Sequence, residues 1–185
     1  MSKWPLAGAL LLAGLCGCSA PSRLALTSYQ DPHAPERYEV VFDRCAMVRS
    51  ANGDIHVAAD RLTPPGLDNA EPVRQMLWAH VFWRPRAGRT TDDPTAVDAV
   101  IRYVVASPSG AAAYSGTGFI YLDKRWGGVT RARVESGRLR LVREEGGVGR
   151  VLGGVGVGGG LHAPADAAPA AELRRDVRQH LPAGR

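Results

Sequence analysis

The residue types that usually carry chemistry do not form a complete catalytic or metal-binding pattern in this chain of 185 residues. The five histidines are isolated in sequence, with no CxxC or HExxH spacing, so we expect His56 and His80 to be hydrogen-bonded rather than bound to a metal. Ser115 lies in AYSGTG, but a nucleophile elbow needs glycine where Ala113 and Thr117 stand. The sequence therefore predicts no catalytic residue, no metal site and no cofactor.

Glycine is concentrated in one segment, with seven glycines among residues 148–162. A phosphate-binding loop needs a Lys-Ser/Thr pair and a following helix, whereas alanines and prolines follow this run. We expect a linker, a flap or a glycine-rich edge strand here.

Arginines form the strongest candidate binding surface. Eight basic residues and only three acidic ones lie between Lys124 and Arg150. If Ser136-Gly137 is a hairpin turn, alternation brings the arginines to one surface and sets Arg133 directly opposite Arg140. Like charges in that position destabilise a sheet, so this face must be solvated or neutralised by an anionic partner. The predicted site consists of Arg131, Arg133, Arg138 and Arg140.

A simpler explanation of the arginines is compositional. The chain has 21 Arg and 2 Lys and a net charge of +5, and Arg, Ala and Gly all have GC-rich codons. A GC-rich genome and a solvated face would account for the same pattern without a partner.

The beginning of the chain has the form of an export signal. Lys3 precedes an apolar run over residues 6–15, which is too short to span a bilayer. The run ends in L-C-G-C, which resembles the lipobox of bacterial lipoproteins, with Leu15 three residues before Cys18 and Gly17 directly before it. The resemblance implies cleavage before Cys18 and its acylation, including palmitate. The alternative is an ordinary secretory signal cleaved after Ala20.

Acylation at Cys18 would make the membrane the first partner of the protein, held through its N-terminus in the cell envelope. Ser19 follows the cysteine where Asp would favour inner-membrane retention, so we expect the outer membrane, facing the periplasm. Export excludes nucleic acid as a partner. It also leaves Cys45 as a single thiol, which cannot form an internal disulfide.

Turn signals between apolar stretches predict a sheet. Asn52-Gly53 is a strong two-residue hairpin signature, and folding there sets Val48 opposite Val57 with Met47 on the other face. The segment VRQMLWAHVFW is apolar in both alternate sets, as in a central strand covered on both faces.

The fold class is therefore mainly β, with an antiparallel β-sandwich, barrel or bent meander and a short C-terminal helix. The expected organisation is a signal peptide at 1–17, a flexible tether at 18–36, a β-rich domain at 37–147, a glycine- then Ala/Pro-rich linker or flap at 148–170 and an amphipathic helix at 171–182.

These features predict a non-enzymatic envelope lipoprotein whose β-rich domain binds a protein, an anionic lipid or a glycan. One alternative is an envelope hydrolase or lipid-handling protein with a site scattered in the sequence, which a deep apolar pocket or paired catalytic side chains would favour. Another is a structural accessory subunit of a membrane complex, which a flat face with an exposed apolar edge would favour.

Overall fold

The computed structural model describes residues 21–66, 71–82, 98–124, 129–146, 148 and 152–182. Its strands form one antiparallel nine-stranded sheet, and a single short helix follows the last strand. The predicted β-rich class with a C-terminal helix is confirmed, and the sheet has the form of a bent meander or sandwich rather than a closed barrel.

The nine strands precede the helix in the chain. Their bounds are β1 Ser22–Ser28, β2 Glu36–Phe42, β3 Arg44–Arg49, β4 Ile55–Thr63, β5 Val73–Val81, β6 Ala99–Ser107, β7 Gly110–Lys124, β8 Val129–Glu145 and β9 Val155–Pro164, and helix α1 is Ala167–Gln179. In the sheet their order is β2-β1-β9-β8-β7-β6-β5-β4-β3.

The two outermost strands of this order, β2 and β3, are neighbours in the chain. Only Asp43 separates them, and its backbone N–H donates to the carbonyl of Asp60 in β4 at 2.9 Å. The chain thus leaves its pairing with β1 and pairs with β4 one residue later, which forces the sheet to curl around on itself. A bridge between Met47 in β3, at one edge of the sheet, and Ala165, directly after β9, connects strands that are far apart in the strand order.

The curl gives the sheet an inner and an outer face. The inner face holds a large apolar core in which Leu24, Val57, Leu77, Ile101 and Leu161 are fully buried. Helix α1 lies on the outer face of β4, β5 and β6. A second, smaller apolar cluster fills the space beneath it, with Met76, Trp78, Val104, Leu173 and Val177 as its principal members.

Two segments predicted to be outside the domain are strands of the sheet. Part of the predicted tether forms β1, where Leu24 and Leu26 are buried in the core. Part of the predicted linker forms β9, between β1 and β8, and so the glycine-rich segment is a central strand rather than a flap or edge. Val155 and Val157 alternate with the glycines and pack into the core, which explains how a segment so rich in glycine remains a strand of the sheet.

The hairpin around Asn52-Gly53 exists, but its predicted register is wrong by one residue. Val48 lies opposite His56, because the loop spans five residues from Ser50 to Asp54. Ser50 N–H donates to the Asp54 carbonyl at 2.8 Å, and Gly53 takes a φ of +88°. A one-residue shift exchanges the faces of a strand.

The consequence is a different set of residues on each side of the hairpin. Met47 packs against the inner core, and His56 and Ala58 face outward. Arg44 also faces outward, because the chain is irregular at Asp43 and the alternation restarts there.

The predicted turn at Ser136-Gly137 is also wrong, since β8 continues through it as a single strand of 17 residues. The pairing with β7 and β9 shifts there, with Ile120 opposite Val134 and Phe119 opposite Ser136. Glu135 is therefore the extra residue of a β-bulge. A short polar segment with glycine is compatible with a β-bulge as well as with a turn. Here β7 is long enough to pair with β8 on both sides of the bulge.

Helix α1 begins four residues before the predicted helix. Asp166 is its N-cap, and its carboxylate accepts from Ala168 N–H at 3.2 Å. Pro169 lies in the first turn, where a missing backbone N–H costs nothing. The predicted apolar stripe is present, with Leu173 and Val177 buried against the sheet.

The predicted signal peptide and Cys18 lie outside the described residues. Within the described part of the chain, no helix is long and apolar enough to span a membrane.

Candidate anion-binding face

The four predicted arginines lie on β8 and share the outer face of the sheet. Arg131 and Arg133 precede the bulge, and Arg138 and Arg140 follow it. The extra residue corrects the alternation between odd and even positions, so the bulge is what brings both pairs to one face. We call these four residues the arginine row.

The arginine row is extended rather than clustered. Arg133 lies opposite Tyr121 and Gly160, and Arg140 lies opposite Ser115, so the predicted pairing of Arg133 with Arg140 is wrong. At about 3.3 Å per residue, the row extends roughly 27 Å along one strand.

Acidic neighbours of the arginine row are few. Arg133 lies 3.9 Å from Glu135, but both side chains are about half exposed, and such a pair is weak. The Arg133 guanidinium also lies 5.5 Å from the centre of the Tyr121 ring. Among the residues that the structure describes, the other three arginines have no carboxylate within 4 Å.

Beside the row, β9 exposes backbone rather than side chains. Its outward positions are Gly156, Gly158 and Gly160, and a groove of about 320 Å³ runs over the first two, with Arg138 and Arg37 at its sides. The groove keeps the arginines accessible from the side of β1.

The beginning of β1 lies close to the beginning of the row. The Ser22 hydroxyl accepts from His162 N–H at 2.9 Å, and His162 lies directly opposite Arg131. Arg23 lies opposite Gly160, which in turn lies opposite Arg133. The first described residues are therefore two strands, or about 10 Å, from the arginine row.

A second group of cations lies on the same outer face, around Trp78. The guanidinium of Arg102 on β6 is 4.9 Å from the centre of the indole, and that of Arg174 on α1 is 5.5 Å from it. His56 stacks on the indole at 5.6 Å with 14° between the rings. We call Trp78, Arg102, Arg174, Arg178 and His56 the tryptophan cluster.

His80 connects this cluster to a buried carboxylate. Its Nε2 lies 2.9 Å from Asp54 Oδ2, and its ring lies 4.4 Å from that of His56 and 4.2 Å from that of Phe82. His80 is therefore hydrogen-bonded to a carboxylate, as expected for an isolated histidine on a strand. No group of His, Cys, Asp and Glu within the described ranges has the geometry to hold a metal.

The charges of the tryptophan cluster are all positive and repel one another. Burial lowers the pKa of His56 to about 4, with the nearby His80 and Arg174 acting in the same direction. Burial also lowers the pKa of Arg102, and the charges of Arg178 and Arg174 lower it further. The pKa of Arg174 is lowered by burial and by Arg178. The cluster is thus a site of net positive potential.

The tryptophan cluster and the arginine row belong to one continuous surface. Trp78, Arg102, Ser115 and Arg140 lie side by side on four consecutive strands. Since neighbouring strands are about 4.8 Å apart, Arg102 and Arg140 are roughly 10 Å from each other across the hydroxyl of Ser115.

The opposite side of helix α1 carries a different arrangement, which we call the carboxylate network. Asp60 on β4 accepts two hydrogen bonds from Arg44, at 2.8 and 2.7 Å, and two from Arg74, at 3.3 and 3.1 Å. Arg74 also lies 2.9 Å from Asp176 of the helix, and Arg44 lies 3.9 Å from Glu172. Burial alone would raise the pKa of Asp60, but the hydrogen bonds from the two arginines hold it below its ordinary value.

Cys45 is a partly buried thiol at the curl of the sheet. Burial raises its pKa to about 12, against the opposing effect of a hydrogen bond with Ser22. The thiol therefore stays protonated at neutral pH, and its chemistry is that of a small apolar side chain.

The arginine row was predicted from the sequence, and the tryptophan cluster was not. Its members come from β4, β5, β6 and α1, which are far apart in the chain. One signal was present, namely Arg174 and Arg178 four residues apart on one side of the predicted helix, beside the apolar stripe.

No protein-family model, curated protein or solved structure matches this chain.

Proposed function

We propose that this protein is a non-enzymatic lipoprotein of the cell envelope, anchored through acylated Cys18, whose arginine row binds an anionic lipid surface. Of the membranes available in an envelope, we favour the outer membrane and its periplasmic side. The groups that the arginine row would recognise are phosphates arranged in a plane or a chain.

The observation that carries this proposal is the position of β1. Only Ser19, Ala20 and Pro21 separate Cys18 from the first residue of this strand. Three extended residues span about 10 Å, so an acylated Cys18 would hold the sheet close to the bilayer rather than at the end of a long tether. Arg131 lies about 10 Å from Ser22, the first residue of this strand.

Charge and shape support a lipid surface over a compact ligand. The row extends along one strand and is exposed at Arg133, Arg138 and Arg140. Each arginine at an anionic bilayer contributes about 1 kcal/mol. A basic patch beside an acyl chain gives stable membrane binding where a single chain would be marginal.

Tyr121 adds an aromatic side chain to the same end of the face. It is 46% exposed and lies beneath the Arg133 guanidinium. Tyrosine is suited to the boundary between headgroups and acyl chains, since its ring is apolar and its hydroxyl is polar.

Vesicle binding tests the role of the arginine row without the anchor. A chain beginning at Ser19, which retains every described strand and the helix, should sediment with phosphatidylglycerol vesicles and not with phosphatidylcholine vesicles. The double variant Arg138→Gln/Arg140→Gln should bind roughly thirtyfold more weakly, as expected for the loss of about 2 kcal/mol.

The matched control removes the same charge elsewhere. Arg49 and Arg175 are exposed and lie outside the row, so Arg49→Gln/Arg175→Gln should change vesicle binding by less than about threefold. Equal losses in the two double variants would show that only net charge matters and would contradict the proposal.

The anchor has its own test. Mass spectrometry of the N-terminus of protein from membranes should find an acylated Cys18, and Cys18→Ala should release the protein from the membrane fraction at high salt. Acylation that persists in Cys18→Ala would refute this site.

A further inference from the structure

We propose that the tryptophan cluster is a binding site for a phosphate group, held by Arg102 and Arg174 with the assistance of Arg178. The phosphate is either free or the ester of a lipid or glycan headgroup. This site adjoins the arginine row on the same outer face but consists of other residues, and it does not depend on the membrane proposal.

Unsatisfied hydrogen-bond donors are concentrated at this site. Five buried side-chain nitrogens in the described part of the chain have no hydrogen-bond partner, and four of them belong to the cluster. They are Nε of Arg102, Nε of Arg174, Nε1 of Trp78 and Nδ1 of His56. The first three are donors in every state, whereas Nδ1 of a neutral His56 ring donates in one tautomer only. Buried donors without partners are rare in folded proteins, and several in one place indicate a missing acceptor.

The missing acceptor carries negative charge. Arg102, Arg174 and Arg178 repel one another, and within the described ranges none of them has a carboxylate within 4 Å. Bringing three guanidiniums together without a counter-charge is unfavourable, and an anion between them converts the repulsion into attraction.

The fold holds the guanidiniums in place before a ligand arrives. Arg174 and Arg178 are one turn apart on α1, and the burial of Leu173 and Val177 fixes that side of the helix against the sheet. Arg102 is fixed from below by its position on β6 beside Trp78. The indole contacts both guanidiniums and limits their rotation.

These features match a phosphate better than a carboxylate. A guanidinium can form two parallel hydrogen bonds with an oxyanion through its two Nη–H groups, and these are the donors that a ligand reaches in Arg102 and Arg174, since the Nε atoms are covered by protein atoms. Two such forks need at least three acceptor oxygens when one is shared, which a phosphate has and a carboxylate lacks. A phosphate dianion also offsets more of the charge of three arginines.

Phosphate titration of the mature chain tests the proposal. The midpoint of thermal unfolding should rise with inorganic phosphate in a saturable manner, compared with sodium chloride at equal ionic strength. By calorimetry, Arg174→Gln and Arg102→Gln should each weaken phosphate binding about tenfold or more, because each removes a fork of charge-assisted hydrogen bonds.

Arg175→Gln is the matched control, since Arg175 neighbours Arg174 but is exposed on the helix. It should bind phosphate with unchanged affinity. If Arg102→Gln fails to fold, judged by its circular dichroism and its midpoint in chloride, Arg174→Gln and Arg178→Gln alone decide the outcome.

Glycerol phosphate distinguishes the two sources of the ligand. Tighter binding of the ester identifies a headgroup and tighter binding of inorganic phosphate identifies the free ion, and both support the proposal when Arg174→Gln abolishes the preference. Equal stabilisation by phosphate and chloride, or phosphate binding that survives in Arg174→Gln and Arg102→Gln, would overturn it.

Discussion

The two sides of helix α1 use similar residues for different purposes. On one side, Arg44 and Arg74 donate four hydrogen bonds to the buried carboxylate of Asp60, and Asp176 of the helix completes the network. On the other side, Arg174 and Arg102 contact Trp78 and have no carboxylate within 4 Å among the described residues.

The difference separates structural arginines from arginines available for a ligand. Both sides rest on the outer face of the sheet, next to the apolar cluster that fills the space beneath the helix. Exposure alone does not distinguish them, since Arg74 and Arg174 are both partly buried. What distinguishes them is whether their donors are satisfied, and this is a property of the folded protein alone.

The largest expected effect comes from breaking the carboxylate network. Asp60 is 4% exposed, and Asp60→Asn leaves Arg44 and Arg74 without their counter-charge. We expect the free energy of unfolding, measured with urea at pH 7, to fall by about 3 kcal/mol.

Arg174→Gln is the counterpart on the other side of the helix. It removes a cation–π contact but also a repulsion, so the free energy of unfolding in chloride should change by less than about 1 kcal/mol. Equal destabilisation by Asp60→Asn and Arg174→Gln would show that the two sides do not differ as described.

An effect smaller than that of Asp60→Asn is expected from acid, and it belongs to the tryptophan cluster. The folded pKa of His56 is about 4, below the ordinary value of 6.5, so the unfolded chain takes up this proton first as the pH falls. The contribution of neutral His56 to stability is therefore present above pH 6.5 and lost on acidification toward pH 4. Between pH 7 and 4.5 the loss should be on the order of 2 kcal/mol.

Comparison with His56→Gln isolates this contribution. The free energies of unfolding of the parent protein and His56→Gln should converge or cross over this range, whereas His33→Gln, at an exposed turn, should follow the parent. A constant difference between parent and His56→Gln from pH 7 to 4.5 would refute the depressed pKa.

Much of the fold could be predicted from local signals. Alternation and turn residues predicted a β-rich chain, and the apolar spacing predicted the helix that buries Leu173 and Val177. The strand registers were harder to predict from the sequence, because Asn52-Gly53 is compatible with either a two-residue or a longer loop. Hydrogen bonds around Ser50 and Asp54 determine which loop forms.

The glycine-rich segment shows why composition led to a wrong prediction of a linker, flap or edge strand. Gly156 and Gly158 lower intrinsic strand propensity, but Val155 and Val157 between them are buried, and pairing with β1 and β8 on both sides retains the strand. Long-range pairing of this kind leaves no local signal in the sequence.

The two candidate sites differ in the same respect, since only one of them depends on local sequence. The arginine row could be predicted because it lies on one strand, although the bulge rather than a turn aligns it. The tryptophan cluster could not, because the contacts between Arg102, Trp78 and Arg174 depend on the docking of α1 on β5 and β6.

Nuclear magnetic resonance of arginine side chains tests the contrast between the two sides of helix α1 most directly. The Nε–H signals of the ¹⁵N-labelled protein, assigned by arginine substitutions, would be followed as inorganic phosphate replaces chloride at constant ionic strength. We predict that the Arg102 and Arg174 signals shift in a saturable manner while those of Arg44 and Arg74, already bonded to Asp60, do not. Shifts of similar size at all four arginines, or at none, would contradict the account.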